Sequence, residues 1–305
     1  RVSVGDGGTI EGDEASFYAS ISDDGRFVAF ESAATNLVPG DTNDAPDAFV
    51  HDRDNVDTRR VSVDSDGNEG TGGNQGTNRP RISGSGQFIA FEAEFDNLVE
   101  GDSNGVDDIF VHDRASGATE RVSVDGDGNE IDGFSIDPDI SDDGRFVLFT
   151  SVEPELDPDA PSNGFTLDVF VHDRETGAVR LLSQNRDGEA TDNFSDSPAI
   201  SGNGRFAAFR SFAANLVPGD SNRKTDVFIT ETIALSLVAP DMLDFGDQPQ
   251  GNPSAPRTIT IESTGPAELV LDMLTIEGNA ASDFDIVADD CSSQSIGTQA
   301  STENT

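Results

Sequence analysis

The chain of 305 residues carries 59 Asp and Glu against 18 Lys and Arg, a formal net charge of -41. That excess excludes nucleic acid and anionic membrane surfaces as partners, because both select clustered basic residues. Trp is absent and Tyr18 is the only tyrosine, which argues against a sugar-binding face built from half-wet aromatic rings.

Hydrophobic residues make up only 34%, but 20 of them are Phe, so material for a core is present. Lys224 is the only lysine among the basic residues. A salty or divalent-rich exterior favours such a composition, and so does a GC-rich genome. No apolar run approaches the roughly 20 residues of a membrane span, so direct insertion is not expected. Cys291 is the only cysteine, which leaves no internal disulfide.

In chain order, Arg1-Val-Ser-Val4 reads as a strand, and a unit then repeats four times. The unit is clearest in Asp47-Ala-Phe-Val-His51-Asp-Arg53, Asp108-Ile-Phe-Val-His112-Asp-Arg114 and Asp168-Val-Phe-Val-His172-Asp-Arg174. An altered copy is Asp226-Val-Phe-Ile-Thr230-Glu231. A period of about 60 residues marks a modular architecture. Each unit opens on a short apolar segment, Ile21-Ser22, Pro80–Ser83, Pro138–Ser141 or Pro198–Ser201. A tight turn ends at Gly25, Gly86, Gly144 or Gly204, where positive φ is expected. A second segment follows, Arg26–Phe30, Gln87–Phe91, Arg145–Phe149 or Arg205–Phe209, and the Asp-x-Phe segment is third. The fourth is Arg60–Val63, Arg121–Val124 or Arg180–Ser183.

Four antiparallel strands per repeat predict one propeller blade per repeat, in an all-β protein. Such a sheet is covered on both faces, so strands like Phe27-Val-Ala-Phe30 can be apolar throughout. The expected blades are 16–63, 78–124, 136–183 and 197–231. Two readings of the ring stand: Arg1–Val4 completes the last blade, or these four blades belong to a larger ring. The second is favoured.

Ser22-Asp-Asp-Gly-Arg-Phe-Val-Ala-Phe30, followed by Asp47-x-Phe-Val-x-Asp52, resembles the TolB-type β-propeller repeat over residues 1–231. That resemblance implies a binding platform and an exported, extracellular, surface or periplasmic protein. Beyond residue 232 the period stops. Leu243-Asp-Phe-Gly246, Gly251 and Thr258–Gly265, with Asp283-Phe284 and Cys291, resemble the Hydin-like, choice-of-anchor D type of immunoglobulin-like domain. Residues 232–305 are thus expected to form a sandwich module, cut short.

Two loops per repeat are acidic. One joins strands two and three: Asp41, Asn43 and the strand-entry Asp47; Asp102, Asn104 and Asp108; Asp220, Asn222 and Asp226. The other joins strand four to the next blade: Asp64, Asp66 and Asn68; Asp125, Asp127 and Asn129. Alternating strand direction places both loops on one face of the disc. Hard oxygens at this spacing suit calcium, the one cofactor this face would take. The bland reading is that Asp and Asn form turns by bonding their own backbone. No EF-hand spacing is present, and the third repeat departs furthest, with a longer loop through 157–163.

His51, His112 and His172 stand in different blades and are expected to pack, not to share a metal. Arg53, Arg114 and Arg174 are expected to pair with nearby carboxylates. No Gly-x-Ser-x-Gly elbow, His-Glu-x-x-His or phosphate loop occurs. The leading expectation is a non-catalytic scaffold, monomeric, that binds a protein partner, a cationic one where it meets the acidic face. The alternatives are a propeller lyase or hydrolase working through channel-lining carboxylates, and a salt-adapted structural protein.

Overall fold

The computed structural model describes residues 1–232, apart from 74–75, 154–155, 158–163 and 165, together with four short strands beyond 232. The first sheet runs β1 (Ser16–Ile21), β2 (Phe27–Ser32), β3 (Asp47–Asp52), β4 (Asp57–Arg60) in spatial order. The second is β5 (Thr77–Ile82), β6 (Phe88–Ala93), β7 (Asp108–Asp113), β8 (Thr119–Arg121). The third is β9 (Ser135–Ile140), β10 (Phe146–Ser151), β11 (Asp168–Asp173), β12 (Ala178–Leu181). The fourth has three strands among the described residues, β13 (Ser195–Ile200), β14 (Phe206–Ser211) and β15 (Asp226–Glu231). Every pairing is antiparallel. These are propeller blades, and the fold is all-β.

Within each blade one ring pair marks the register of the two middle strands. Phe30 faces Phe49 and Phe91 faces Phe110, with centroids 5.8 Å apart. Phe149 faces Phe170, and Phe209 faces Phe228, at 6.0 Å. Between blades, small and β-branched residues of one sheet meet the large residues of the next. Ala29, Ala48 and Val50 pack with Ile82, Ile89 and Phe91. Ala90, Ile109 and Val111 meet Ile140, Val147 and Phe149 in the same way, and Leu148, Val169 and Val171 meet Ala207 and Phe209.

The turn between the first two strands makes a second inter-blade contact. Gly25, Gly86, Gly144 and Gly204 take φ of 69°, 73°, 77° and 71°, as their turn position requires. A Cβ at Gly86 would lie 2.4 Å from the Phe27 ring of the preceding blade, and one at Gly144 would lie 2.1 Å from Phe88. Arg114 lies over the same Phe27 ring at 4.0 Å and Arg174 over Phe88 at 4.6 Å. Each ring is therefore seated on a glycine and covered by a guanidinium. Arg53 and Arg114 donate to the carbonyls of Gly25 and Gly86 and not to carboxylates as expected, whereas Arg174 pairs with Glu120 and also donates to Gly144.

The first strand is longer than the sequence suggested, because it carries a bulge, followed in the second, third and fourth blades by a proline. Tyr18, Arg79, Asp137 and Ser197 all adopt φ between 48° and 56°, and the pairing register shifts there in every blade. Pro80, Pro138 and Pro198 follow the bulge on an edge strand, where a missing N–H is tolerated. Arg1–Val4 lies against the first blade: Val4 bridges to Glu11, and its carbonyl accepts the Thr58 hydroxyl. It does not complete the fourth blade within the chain.

The chain divides into two compact units, Arg1–Thr232 and Ile233–Thr305. In the second, β16 (Ile259–Glu262) pairs with β19 (Ser301–Asn304), and β17 (Leu269–Leu271) with β18 (Gln294–Ile296). The other residues that carry the immunoglobulin-like resemblance, Cys291 among them, lie outside the described residues.

Gly144→Ala is expected to destabilise the chain by about 2–4 kcal/mol, combining left-handed strain with overpacking against Phe88. Gly101→Ala, at φ 82° with open space around it, should cost only the strain, about 1–2 kcal/mol. Denaturant titration of both variants measures the difference.

Candidate functional site

The two acidic loops of a blade interlock, which places them on one rim. Thr42 donates its N–H and hydroxyl to Glu69, and Ser103 does the same to Glu130. The loop leaving strand four is also held by the next blade, since Asn97 accepts Thr71 N–H and donates to the Glu69 carbonyl. Asn36 and Asn215 make the equivalent pair of bonds, to Asp13 and Glu11 and to Asp192 and Ala190. The loop between the first and second blades is thus pinned from both sides.

At the centre of the first two blades an arginine stands among three carboxylates. Arg60 Nη1 lies 3.5 Å from Asp41, 3.2 Å from Asp47 and 2.5 Å from Glu69. Arg121 Nη1 repeats this at 3.5 Å from Asp102, 3.2 Å from Asp108 and 2.8 Å from Glu130. Both guanidinium groups are buried. Ser62 and Ser123 lie just past the ends of β4 and β8, two residues after Arg60 and Arg121, and reach the same aspartates. Ser62 donates to Asp47 Oδ1, Ser123 to Asp108 and Ser183 to Asp168.

Burial pushes Asp47 up to about 6 despite Ser62 and Arg60. It pushes Asp102 up to about 7, helped by the neighbouring charge of Asp108. Glu130 moves the other way. Burial opposes the change, but the Ser103 and Arg121 bonds together hold it down at about 2.

The third blade shows what the hub needs. Ala190 occupies the bridge position that Glu69 and Glu130 hold elsewhere. Leu181 pairs with Phe170 as Arg60 does with Phe49 and Arg121 with Phe110, so the third copy of this strand is offset by one residue from the spacing expected from the sequence, and Arg180, on the opposite face, donates to the carbonyl of Glu231. Asp168 keeps its serine bond and adds one from Thr191.

Not all the residues proposed for calcium converge. Asp41 and Asp47 gather with Glu69, and Asp102 and Asp108 with Glu130, each set with ligand atoms within 4.8 Å of one another. Asn43, Asn104 and Asn222 turn their amide nitrogens, not their oxygens, toward Asp47, Asp108 and Asp226. Asp64 and Asp125 accept backbone N–H groups two and four residues on, and Asn68 and Asn129 donate to them. Asp66 and Asp127 are exposed at the loop tips. Asp220 accepts the N–H of Asn222. Glu69, Glu130, Arg60 and Arg121 were missed from the site because their strand and bridge roles hid their charge. Glu recurring directly after Asp-Gly-Asn was the available signal.

The carboxylates of the inner strands are engaged in structure. Glu92 Oε2 accepts the N–H of the bulge residue Asp137, and burial raises Glu92 to about 7. Glu31 binds the N–H of Arg79 in the same way. The histidines pack as expected. His51 and His112 bond Thr58 and Thr119, while His172 bonds the Val122 carbonyl of the preceding blade.

No family model matches the chain, and no curated protein matches it. Its similarities are to solved structures. TolB from Acinetobacter baumannii is 18% identical with a TM-score of 0.44, over 72% of this chain and 41% of that one. The β-propeller domain of the trilobed protease from Pyrococcus furiosus is 14% identical with a TM-score of 0.41, over 82% and 64%. Oligogalacturonate lyase from Vibrio parahaemolyticus is 12% identical with a TM-score of 0.41, over 83% and 58%. The chain spans less than two thirds of the length of each of these three. Among the described residues no helix is long and apolar enough to cross a membrane.

Arg121→Ala leaves buried Asp108 and its neighbours without a counter-charge. A loss of about 3–5 kcal/mol is expected in urea denaturation. Arg59→Ala, at an exposed pair, should change stability by less than about 1 kcal/mol.

Proposed function

We propose that the repeat region is a non-catalytic platform, presented outside the cell, that offers its acidic loop rim to a cationic protein surface. The interlocking of the loops carries this reading. Asp66, Asp127, Asp44 and Glu100 are exposed on loops whose backbones are fixed by neighbouring blades, so their charges are held in place before a partner arrives. Preorganised charge of one sign favours association and orientation of an opposite surface. The enzyme reading loses support because Asp47, Asp108, Asp168 and Glu92 are already engaged with serines, arginines or a backbone N–H. Thr58 and Thr119 donate to carbonyls and so receive a proton from His51 and His112, which is not the geometry of an activated nucleophile.

Charge reversal separates a rim from a general effect of net charge. Asp66→Lys with Asp127→Lys is expected to weaken a cationic protein probe by about tenfold or more at low salt. Asp54→Lys with Glu175→Lys, in the turns between strands three and four, should weaken it far less. Equal losses would leave net charge alone as the cause.

Calcium at the two hubs is a second reading, supported by three carboxylates facing a single guanidinium in each. An incoming ion would have to displace the arginine to gather the 6–8 oxygens calcium takes. Saturation at about 100 times Kd should raise native stability by about 2.7 kcal/mol. No heat in calorimetry and no melting shift would leave the arginine as the hub's own cation.

A further inference from the structure

The three junctions between blades share one construction, and both of its halves recur uncovered at the two ends of the array. On the donor side, Ala48 and Val50, Ile109 and Val111, and Val169 and Val171 are all buried against the following blade. The same positions in the fourth blade are Val227 and Ile229, which are 78% and 74% exposed. On the acceptor side, Ile82 and Ile140 are each 6% exposed, whereas their counterpart Ile21 in the first blade is 58% exposed.

The finer contacts are split in the same way. Phe27 and Phe88 fill seats formed by Gly86 with Arg114 and by Gly144 with Arg174. Gly25 and Arg53 form the same seat, already joined by the Arg53 bond to the Gly25 carbonyl, with no ring within reach of Gly25. Phe206 is the ring that holds the matching position in β14. Across each junction the N–H opening the next sheet donates to the carbonyl before the third strand: Thr77 to Pro46, Ser135 to Asp107, Ser195 to Leu167. Ser16 and Thr225 hold these positions at the two ends.

The edge of β15 is complementary as well. A groove of about 330 Å³ beside it is lined by Leu182, Phe209, Leu216, Phe228 and Ile229. Arg1-Val-Ser-Val4 repeats Arg60-Val-Ser-Val63. Val4 accepts Thr58 just as Val63 of the preceding blade accepts Thr119. Arg1–Val4 thus already stands where the fourth strand of a preceding blade ends.

We propose that the chain binds a second copy of itself head to tail. The β14–β15 face of one copy covers β1 of the next, Phe206 enters the Gly25–Arg53 seat, and Arg1–Val4 of the second copy lies along β15 of the first. The contact is heterologous, so it closes into a ring if the rotation allows and otherwise propagates. This departs from the monomer expected from the sequence. The junction is apolar and joins two strongly anionic chains, so added salt should strengthen it by screening their repulsion.

Light scattering on the full chain at micromolar concentration tests this. The native chain should run at a multiple of its 32.1 kDa mass, and the fraction assembled should rise with salt. Val227→Asp with Ile229→Asp should run as the single chain, and so should Ile21→Asp, each with unchanged circular dichroism. Mixing the two variants should restore a one-to-one dimer, because each retains the half that the other lacks. A native chain that stays monomeric, whether its own residues or another protein covers these faces, overturns the proposal. So does a mixture that fails to pair.

Discussion

Each blade is apolar on both faces, and from that constraint the rest of the structure follows. A sheet carrying Phe30, Phe49 and Val50 cannot meet water on either side without losing the burial that holds it together. Stacking is therefore a condition of folding. The sequence meets it by making one face small and the other large, so that Ala48 and Val50 fit against Ile82 and Phe91. The same sheets then direct their loops to a common rim, and the polar chemistry collects where the apolar faces leave room for it.

That rim is organised by a few groups that serve two purposes. Asp47 and Asp108 accept from Ser62 and Ser123 and also face Arg60 and Arg121. They join the third strand to the fourth while drawing in the loop from the next blade through Glu69 and Glu130. The third blade makes the dependence visible. With Leu181 at the arginine position and Ala190 at the bridge position, its described residues form no such hub.

Much of this was legible in the repeat. Four copies in register gave the sheets, their order, the glycine turns and the meeting of the two acidic loops. The bulges were not legible, because Pro80, Pro138 and Pro198 read as the start of a strand and not as its middle. The hubs were half legible: Asp41, Asp47, Asp102 and Asp108 stood out as oxygen donors. Their partners Arg60 and Arg121 looked like ordinary strand residues until the fold brought them within 3.2 Å of Asp47 and Asp108. The asparagines illustrate a general limit, since spacing does not say whether an amide presents its oxygen or its nitrogen.

The bulge in the first strand has a consequence for how this architecture changes over time. Tyr18, Arg79, Asp137 and Ser197 hold one backbone conformation at equivalent places, yet they are an aromatic, a base, an acid and an alcohol. The shape is kept at Tyr18, which Ala19 follows, as it is ahead of Pro80, Pro138 and Pro198, so the bulge sets it and the letter written there is left open. Duplication of blades therefore supplies a set of equivalent positions whose chemistry can be rewritten one residue at a time while the framework stays as it is.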